Sequence, residues 1–206
     1  MSIGIIGKKI GMTHIFNIEN NFIPLTILQI SPSIILNINN INNEYNTIQI
    51  GAWPINLKKK IKKAKLSFFI NKKISPFEYI KEYKIKKNYK FEIGENINLN
   101  FFKIGEKIKI SGLTIGKGTL GNIKRHNFKR GPMTHGSKHH RLQGSLGAGT
   151  TPGRVFPGKK MSGRVGNKKI TFNGIKIIDI NNKENILLVK GSIPGKFGNI
   201  IHILKN

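Results

Sequence analysis

The 206-residue chain is 38% hydrophobic and carries a formal net charge of +27, from 36 Lys and Arg against 9 Asp and Glu. Because so basic a chain repels itself unless a polyanion neutralises it, nucleic acid and anionic membrane are the natural partners. No apolar run reaches the roughly 20 residues that cross a bilayer, and a chain with no Cys cannot form disulfides or thiolate metal sites.

Residues 1–56 are predicted to form short strands. The glycine-rich start, Met1 to Gly7, has too short an apolar run for a signal peptide and is interpreted as the first strand. Phe22 to Ile30 and Thr47 to Trp53 are rich in β-branched and apolar residues, which favours strands. Asn-rich turns are expected between them.

Residues 57–90 are predicted to form a basic inserted subdomain. Apolar residues at helical spacing share one face: Leu57, Ile61, Ala64 and Phe68. Lysines fill the other positions, so binding to a membrane surface is an alternative. We favour a helix that packs on its own domain, because it is short and lies mid-chain. Ser75 to Glu78 fits a capping box and predicts the start of another short helix.

Strand patterns return over residues 91–116 and 169–206. Polar and apolar residues alternate from Lys107 to Ile110, and Asn181 to Glu184 has the composition of a hairpin turn. Many short strands joined by turns are typical of a closed or nearly closed antiparallel barrel. We therefore predict a mainly β fold built from these two segments and residues 1–56.

Residues 117–168 are predicted to form a long irregular extension, because no period of 2 or 3.6 persists there. No Asp or Glu occurs from Lys107 through Ile178. All five arginines fall inside the segment, and their planar guanidinium groups suit phosphate and base contacts. Its few apolar residues cannot build a core, so we expect a phosphate-rich surface to order it.

Three patterns in this segment fall short of a catalytic or metal site. Gly116 to Gly121 matches the dinucleotide pattern G-x-G-x-x-G but has no acid about 20 residues further on. Gly153 to Lys160 nearly matches a phosphate-binding loop, but Lys replaces the Ser or Thr that would hold magnesium. His135, His139 and His140 lack a Cys or nearby carboxylate to complete a zinc site. We therefore predict no enzyme activity, cofactor, metal or small-molecule substrate.

Several sequence blocks resemble those of one known family, the bacterial-type third protein of the large ribosomal subunit. The resemblance is collinear over nearly the whole chain and is weakest over residues about 37–95. The blocks that carry it are Gly7 to Thr13, Lys124 to Phe128, Arg130 to Lys138, Gly144 to Phe156, Gly158 to Met161, Gly163 to Arg164 and Asn185 to Gly195.

This resemblance implies an antiparallel six-stranded β-barrel with a small inserted α/β subdomain and a long irregular central extension. It also implies a structural constituent of the large ribosomal subunit that binds 23S-type rRNA and supports early assembly. The extension would help to shape the peptidyl transferase centre. Neighbouring large-subunit ribosomal proteins are expected partners and a membrane is not. The expected location is the ribosome of a bacterial cytoplasm or of an organelle.

The resemblance also assigns residues to two groups. The tip of the extension, near the peptidyl transferase centre, would comprise Gly144, Ser145, Gly147, Gly149, Thr150, Thr151, Pro152 and Gly153. Thr150 stands where some family members have a methylated glutamine. The residues expected to contact rRNA are Lys8, Lys9, Lys117, Lys124, Arg125, His126, Lys129, Arg130, His135, Lys138, His139, His140, Arg141, Arg154, Lys159, Lys160 and Arg164.

Overall fold

The computed structural model describes residues 4–17, 19–40, 45–55, 61–86 and 91–205. Within these residues the chain is mainly β. Two short helices and a 3₁₀ turn at Leu99–Phe101 accompany the strands. In chain order the elements are β1 (Gly4–Phe16), β2 (Phe22–Ile30), β3 (Ser33–Asn40), β4 (Tyr45–Pro54), α1 (Lys63–Asn71), β5 (Phe77–Lys86), β6 (Asn96–Ile97), β7 (Lys107–Leu113), β8 (Gly118–Leu120), α2 (Asn122–His126), β9 (Gly163–Val165), β10 (Lys169–Asn181), β11 (Ile186–Lys190) and β12 (Ile200–Lys205).

Six strands pair in a closed antiparallel ring, in the order β1, β12, β7, β10, β11 and β2, with β2 pairing back to β1. The alternation of the sequence explains which side chains face inward. In β7, Ile108 and Ile110 are buried whereas Lys107 and Lys109 are exposed. The prediction of a mainly β, antiparallel fold is confirmed.

A second antiparallel sheet has the order β5, β4, β3 and β6. This corrects one expectation: β3 and β4 lie within residues 1–56, all of which we assigned to the barrel. β4 contains the strand predicted at Thr47 to Trp53, whereas β3 runs into the Asn-rich stretch that was expected to be a turn; the two strands pair with each other and with β6 and β5. An alternating pattern predicts a strand but does not identify the strand that pairs with it, because the same pattern fits any half-buried sheet.

Helix α1 packs on this second sheet. Its buried residue is Phe69, which contacts Leu36 and Phe77, so the preference for packing within its own domain is confirmed. The expected apolar face is displaced, since Ala64 is exposed, and residues 57–60 lie outside the described part of the chain. The predicted helix at Ser75 to Glu78 is wrong: β5 begins at Phe77, whose ring enters the core.

The chain divides into two compact units, a strand unit (residues 1–113 and 169–206) and an extension unit (Thr114–Lys168). Every buried apolar side chain that the structure describes belongs to the strand unit, where one core cluster joins the closed ring to the second sheet. Neither described helix is long and apolar enough to cross a membrane.

Candidate nucleic-acid interface

The extension unit has almost no interior. Asn122 is its only buried residue, in a segment that the structure describes completely. Its large apolar side chains face outward, with Leu142 67% exposed, Phe156 58% and Met133 56%. Side chains of this size remain in water only when nothing in their own chain covers them, so this unit lacks the burial that stabilises an independent domain.

Backbone hydrogen bonds hold the base of the extension unit. β8 pairs with β9 in antiparallel register, so that Thr119 lies opposite Arg164. Just outside this pair, the amide of Thr114 donates to the carbonyl of Lys168 at 3.0 Å, and the amide of Lys168 donates to the Thr114 hydroxyl at 3.2 Å. The two ends of the extension are therefore tied side by side.

Asn122 ties the long loop to this base. It is the first residue of α2, which ends at His126 and is followed by Asn127 in the left-handed region at φ 58°. The Asn122 amide nitrogen donates to Gln143 Oε1 at 3.0 Å and to the Lys160 carbonyl at 3.4 Å. Its Oδ1 has no hydrogen-bond partner among the described residues. The sequence pattern missed this residue, because a lone Asn after a glycine carries no signal of burial.

Two of the predicted contact residues also close the loop. The Arg125 guanidinium donates to the Met161 carbonyl at 2.8 Å, and His126 Nε2 lies 3.0 Å from the same oxygen. Gly163 leaves room for this arrangement, since a side chain there would collide with the Arg125 guanidinium. Arg125 and His126 are thus positioned by the protein itself, on the face of α2 that meets the returning chain.

The remaining cations of the extension unit point into solvent. This unit contains no carboxylate, and the ion pairs that the structure describes, Lys8–Glu78 and Lys205–Glu106, both lie in the strand unit. A cluster of unpaired cations produces a positive field that attracts phosphate. Its exposed members, all predicted from the sequence, are Lys117, Lys124, Lys129, Arg130, Lys138, Arg141, Arg154, Lys159, Lys160 and Arg164.

The predicted tip, residues 144–153, is a chain of exposed turns. Gly144 and Gly153 adopt positive φ values of 74° and 64°, which glycine reaches without strain. The Ser145 hydroxyl bonds to both the amide and the carbonyl of Gly147, each at 3.3 Å. A backbone this open allows close approach by a polar partner from several sides.

The three histidines of the zinc pattern lie in irregular chain of the extension unit. His140 Nδ1 lies 2.9 Å from the Pro132 carbonyl, and the Gly131 amide donates to the His140 carbonyl at 3.0 Å. His135 sits in a turn at φ 56°. No three His, Asp or Glu side chains among the described residues are grouped to hold a metal ion.

Neither glycine pattern lies between a strand and a long helix, the arrangement in which such patterns bind nucleotides. Gly116 to Gly121 contains β8, which pairs antiparallel with β9. The helix that follows it, α2, is short and runs from Asn122 to His126. Gly153 to Lys160 lies in a loop with neither strand nor helix. A phosphate loop requires a strand before it and a helix after it.

Lys8 and Lys9 belong to the strand unit and have partners there. Lys8 Nζ lies 4.3 Å from the centre of the Trp53 ring and 3.8 Å from a Glu78 carboxylate oxygen. Lys9 Nζ donates to the carbonyls of Ile193 and Gly195 at 2.7 and 3.2 Å, and burial lowers its pKa. For these two residues rRNA contact stays a prediction, whereas their structural role is plain.

Comparison with known proteins identifies the family of this chain. A family model described as Ribosomal protein L3 matches residues 77–186. "Large ribosomal subunit protein uL3c" of Phaeodactylum tricornutum is 49% identical, over 99% of both chains. The protein of that name from Gracilaria tenuistipitata var. liui is 48% identical, over 98% of this chain and 99% of its own. "Large ribosomal subunit protein uL3" of Prochlorococcus marinus strain MIT 9515 is 43% identical, over 100% of this chain and 95% of its own. The chain therefore belongs to the ribosomal protein L3 family.

Proposed function

We propose that this chain is a structural constituent of the large ribosomal subunit and binds 23S-type rRNA through its extension unit. The observation that carries the proposal is a 55-residue segment, Thr114–Lys168, in which a single Asn is buried while its cations are exposed and unpaired. Membership of the ribosomal protein L3 family supports the assignment. We infer a binding role rather than an enzymatic one.

Physical chemistry explains why RNA is the suitable partner. Ordering a segment costs roughly 1–2 kcal/mol of backbone entropy per residue, and the extension unit has no apolar burial to offset this cost. Each phosphate that a Lys or Arg neutralises releases condensed counterions, which stabilises the complex. Exposed rings such as Phe128 and Phe156 can stack on unpaired bases.

The strand unit would anchor the extension on the subunit. We propose that its closed ring is the six-stranded barrel of the family and that the second sheet with α1 is the inserted subdomain. The tip, from Gly144 to Gly153, would reach towards the peptidyl transferase centre and act on it through the placement of RNA. Early assembly and contact with neighbouring ribosomal proteins follow from the same proposal.

The relatives also suggest where the chain works. Those named uL3 come from bacteria, and those named uL3c come from algae. We propose that the chain acts in the ribosome of a bacterium or of an organelle.

Salt-dependent binding to large-subunit rRNA tests the proposal. The full chain is titrated against an rRNA transcript at several salt concentrations, beside the variant R130Q/R141Q/R154Q. We expect the slope of log affinity against log salt to fall by about 0.7–0.9 for each phosphate contact removed.

Two controls make this result decisive. The variant K176Q/K183Q/K190Q removes three exposed cations from the strand unit and should keep the slope of the unchanged chain. Duplex DNA of equal length should bind more weakly, because it lacks the single-stranded loops and the 2′-hydroxyl. Equal slopes for both triple variants, or a preference for the DNA, would contradict the proposal.

A further inference from the structure

The strand unit contains a groove between its two sheets. Two cavities of about 560 and 450 Å³ adjoin each other, since Lys81, Lys169 and His202 line both. Their walls come from β5 on one side and from β7 and β12 of the closed ring on the other. β5 is an edge strand of the second sheet, because among the described strands it pairs only with β4.

The groove is strongly basic. Four exposed lysines of the linings make no ion pair among the described residues: Lys81, Lys109, Lys169 and Lys196. Among the described residues of the linings, Glu82 is the one that carries a carboxylate. Burial, followed by the charges of Lys169 and Lys81, lowers the pKa of His202 to about 4. Burial is the main cause of this shift, and the smaller contributions of Lys169 and Lys81 reflect how close both cations lie to the ring.

The floor of the groove is polar, neutral and fixed. The Tyr83 hydroxyl and His202 Nδ1 lie 3.0 Å apart, which joins the second sheet to the closed ring. The Tyr83 ring packs on Gly4 so closely that any side chain at position 4 would collide with it. The groove therefore keeps its width without a ligand.

One mouth of the groove carries an exposed aromatic ring on a braced loop. Phe197 is 76% exposed, the largest exposed fraction among the large apolar side chains that the structure describes. Hydrogen bonds from Lys9 Nζ to the Ile193 and Gly195 carbonyls, and from the Asn199 amide group to the Leu113 carbonyl, hold the loop in place. A ring held in water beside cations is suited to stacking on a base.

We propose that this groove binds a single strand of RNA, with phosphates beside Lys81, Lys169 and Lys196 and a base stacked on Phe197. The proposal rests on the proposed function, because it assumes that the chain meets rRNA. It assigns a second RNA surface to the strand unit and gives Lys9 a positioning role behind Phe197. Two adjoining cavities and an aromatic ring fit a nucleotide strand better than one isolated phosphate.

Charge-matched variants test the groove. K81Q/K169Q/K196Q and the control K176Q/K183Q/K190Q each remove three exposed cations, and only the first changes the groove. We expect the groove variant to lower the salt slope for rRNA binding by about 0.7 for each lost single-strand phosphate contact. F197S should weaken binding about five-fold or more. If the groove variant and F197S both bind as the control does, the proposal is wrong.

Lysine acetylation of the unchanged full chain, analysed by mass spectrometry, gives an independent readout. In the binary complex with rRNA we expect Lys81, Lys109, Lys169 and Lys196 to react more slowly than in the free chain, while Lys176, Lys183 and Lys190 react as before. Equal protection by inorganic phosphate or by polyglutamate at matched ionic strength would overturn the assignment to RNA. A chain that binds no rRNA would overturn the proposed function, whereas binding with groove lysines fully reactive would overturn only the groove.

Discussion

Asn122 shows how one polar side chain can replace a hydrophobic core. Its amide group donates to Gln143 and to the Lys160 carbonyl, and it is the only buried residue of the extension unit, which is described throughout. A buried donor that loses its acceptors costs more than the hydrogen bond contributes, because the group stays desolvated. The closure of the loop therefore depends on the amide nitrogen of this residue.

The variant N122D should open the loop without unfolding the strand unit. Asp presents a second oxygen where Asn presents a donor, so it faces the oxygens of Gln143 and Lys160. A cost of about 1–3 kcal/mol is expected. Hydrogen exchange of backbone amides in residues 160–163 should accelerate about five-fold or more. N167D, at an exposed position, is the control, and equal exchange in both variants would disprove the role of Asn122.

His202 predicts a dependence of stability on pH. Its pKa is about 4 in the folded chain and about 6.5 in the unfolded chain, so the unfolded chain binds more protons between these values. The contribution is complete above pH 6.5 and is lost as the pH falls from 6.5 to 4. We expect the free energy of unfolding in urea to fall by about 1–2 kcal/mol, less than the full shift implies because solvent screens the partly exposed ring. H202Q should flatten this part of the curve; an equally steep curve in H202Q would count against the prediction.

At the scale of elements, the β8–β9 pair depends on the shape of a single turn. Gly166 follows β9 at φ 78°, and a side chain there would collide with the carbonyl oxygen of Ile115. Gly118, at the start of β8, has a similar φ of 69° but open space around it. Comparing an alanine substitution at each of these two glycines therefore separates the free-energy cost of backbone strain from that of the collision.

G166A should loosen the base of the extension more than G118A does. Both substitutions force a left-handed conformation on alanine, which costs roughly 1 kcal/mol, and only G166A adds the collision. Hydrogen exchange at Lys117, whose amide donates to Val165, measures the difference. Equal exchange rates in the two variants would show that the contact with Ile115 relaxes freely.

Local sequence predicted those elements whose partners are close in the chain. The turn at Asn181 to Glu184 forms as expected, with the amides of Lys183 and Glu184 donating to Asn181 Oδ1 at 3.1 and 3.3 Å. Other elements depended on distant residues. β5 begins where a capping box predicted a helix, because Phe77 fills the space between Leu36 and Phe69. Tertiary burial outweighs a local helix signal of this strength.

At the scale of the whole molecule, the extension is an insertion into a hairpin. Leu113 and Lys169 are direct partners in the pairing of β7 with β10, although residues 114–168 separate them in the chain. An excursion of this kind adds loop-closure entropy that grows only slowly with length. The strand unit is thus expected to fold with or without it.

Replacing residues 114–168 by Asn-Gly should leave a folded strand unit. The dipeptide favours the tight turn that joins two antiparallel strands. We expect the free energy of unfolding to rise by up to about 3 kcal/mol, because the shorter loop costs less closure entropy and all buried apolar side chains described in the structure remain. Most of the affinity for rRNA should be lost. A variant that no longer unfolds cooperatively in urea would refute the independence of the two units.

The two proposed surfaces differ in how far sequence alone could find them. The extension was visible as a continuous stretch without acids, and its cations are close together in the chain. The groove was not, because Lys81, Lys109 and Lys169 come together only through the topology of two sheets. In a chain with 36 basic residues, single lysines carry no signal until the fold shows which share a wall.

The pairing of β1 with β12 has a consequence for the folding of the protein during its synthesis. These two strands are neighbours in the ring although most of the described chain separates them, so the ring stays open until β12 has been synthesised. At about 5–20 residues per second, β1 waits on the order of ten seconds or more for its partner. Throughout that interval the nascent chain exposes an unsatisfied strand edge, and later a cationic arm as well. Newly made copies are therefore most vulnerable to aggregation and to stray polyanions before the ring closes.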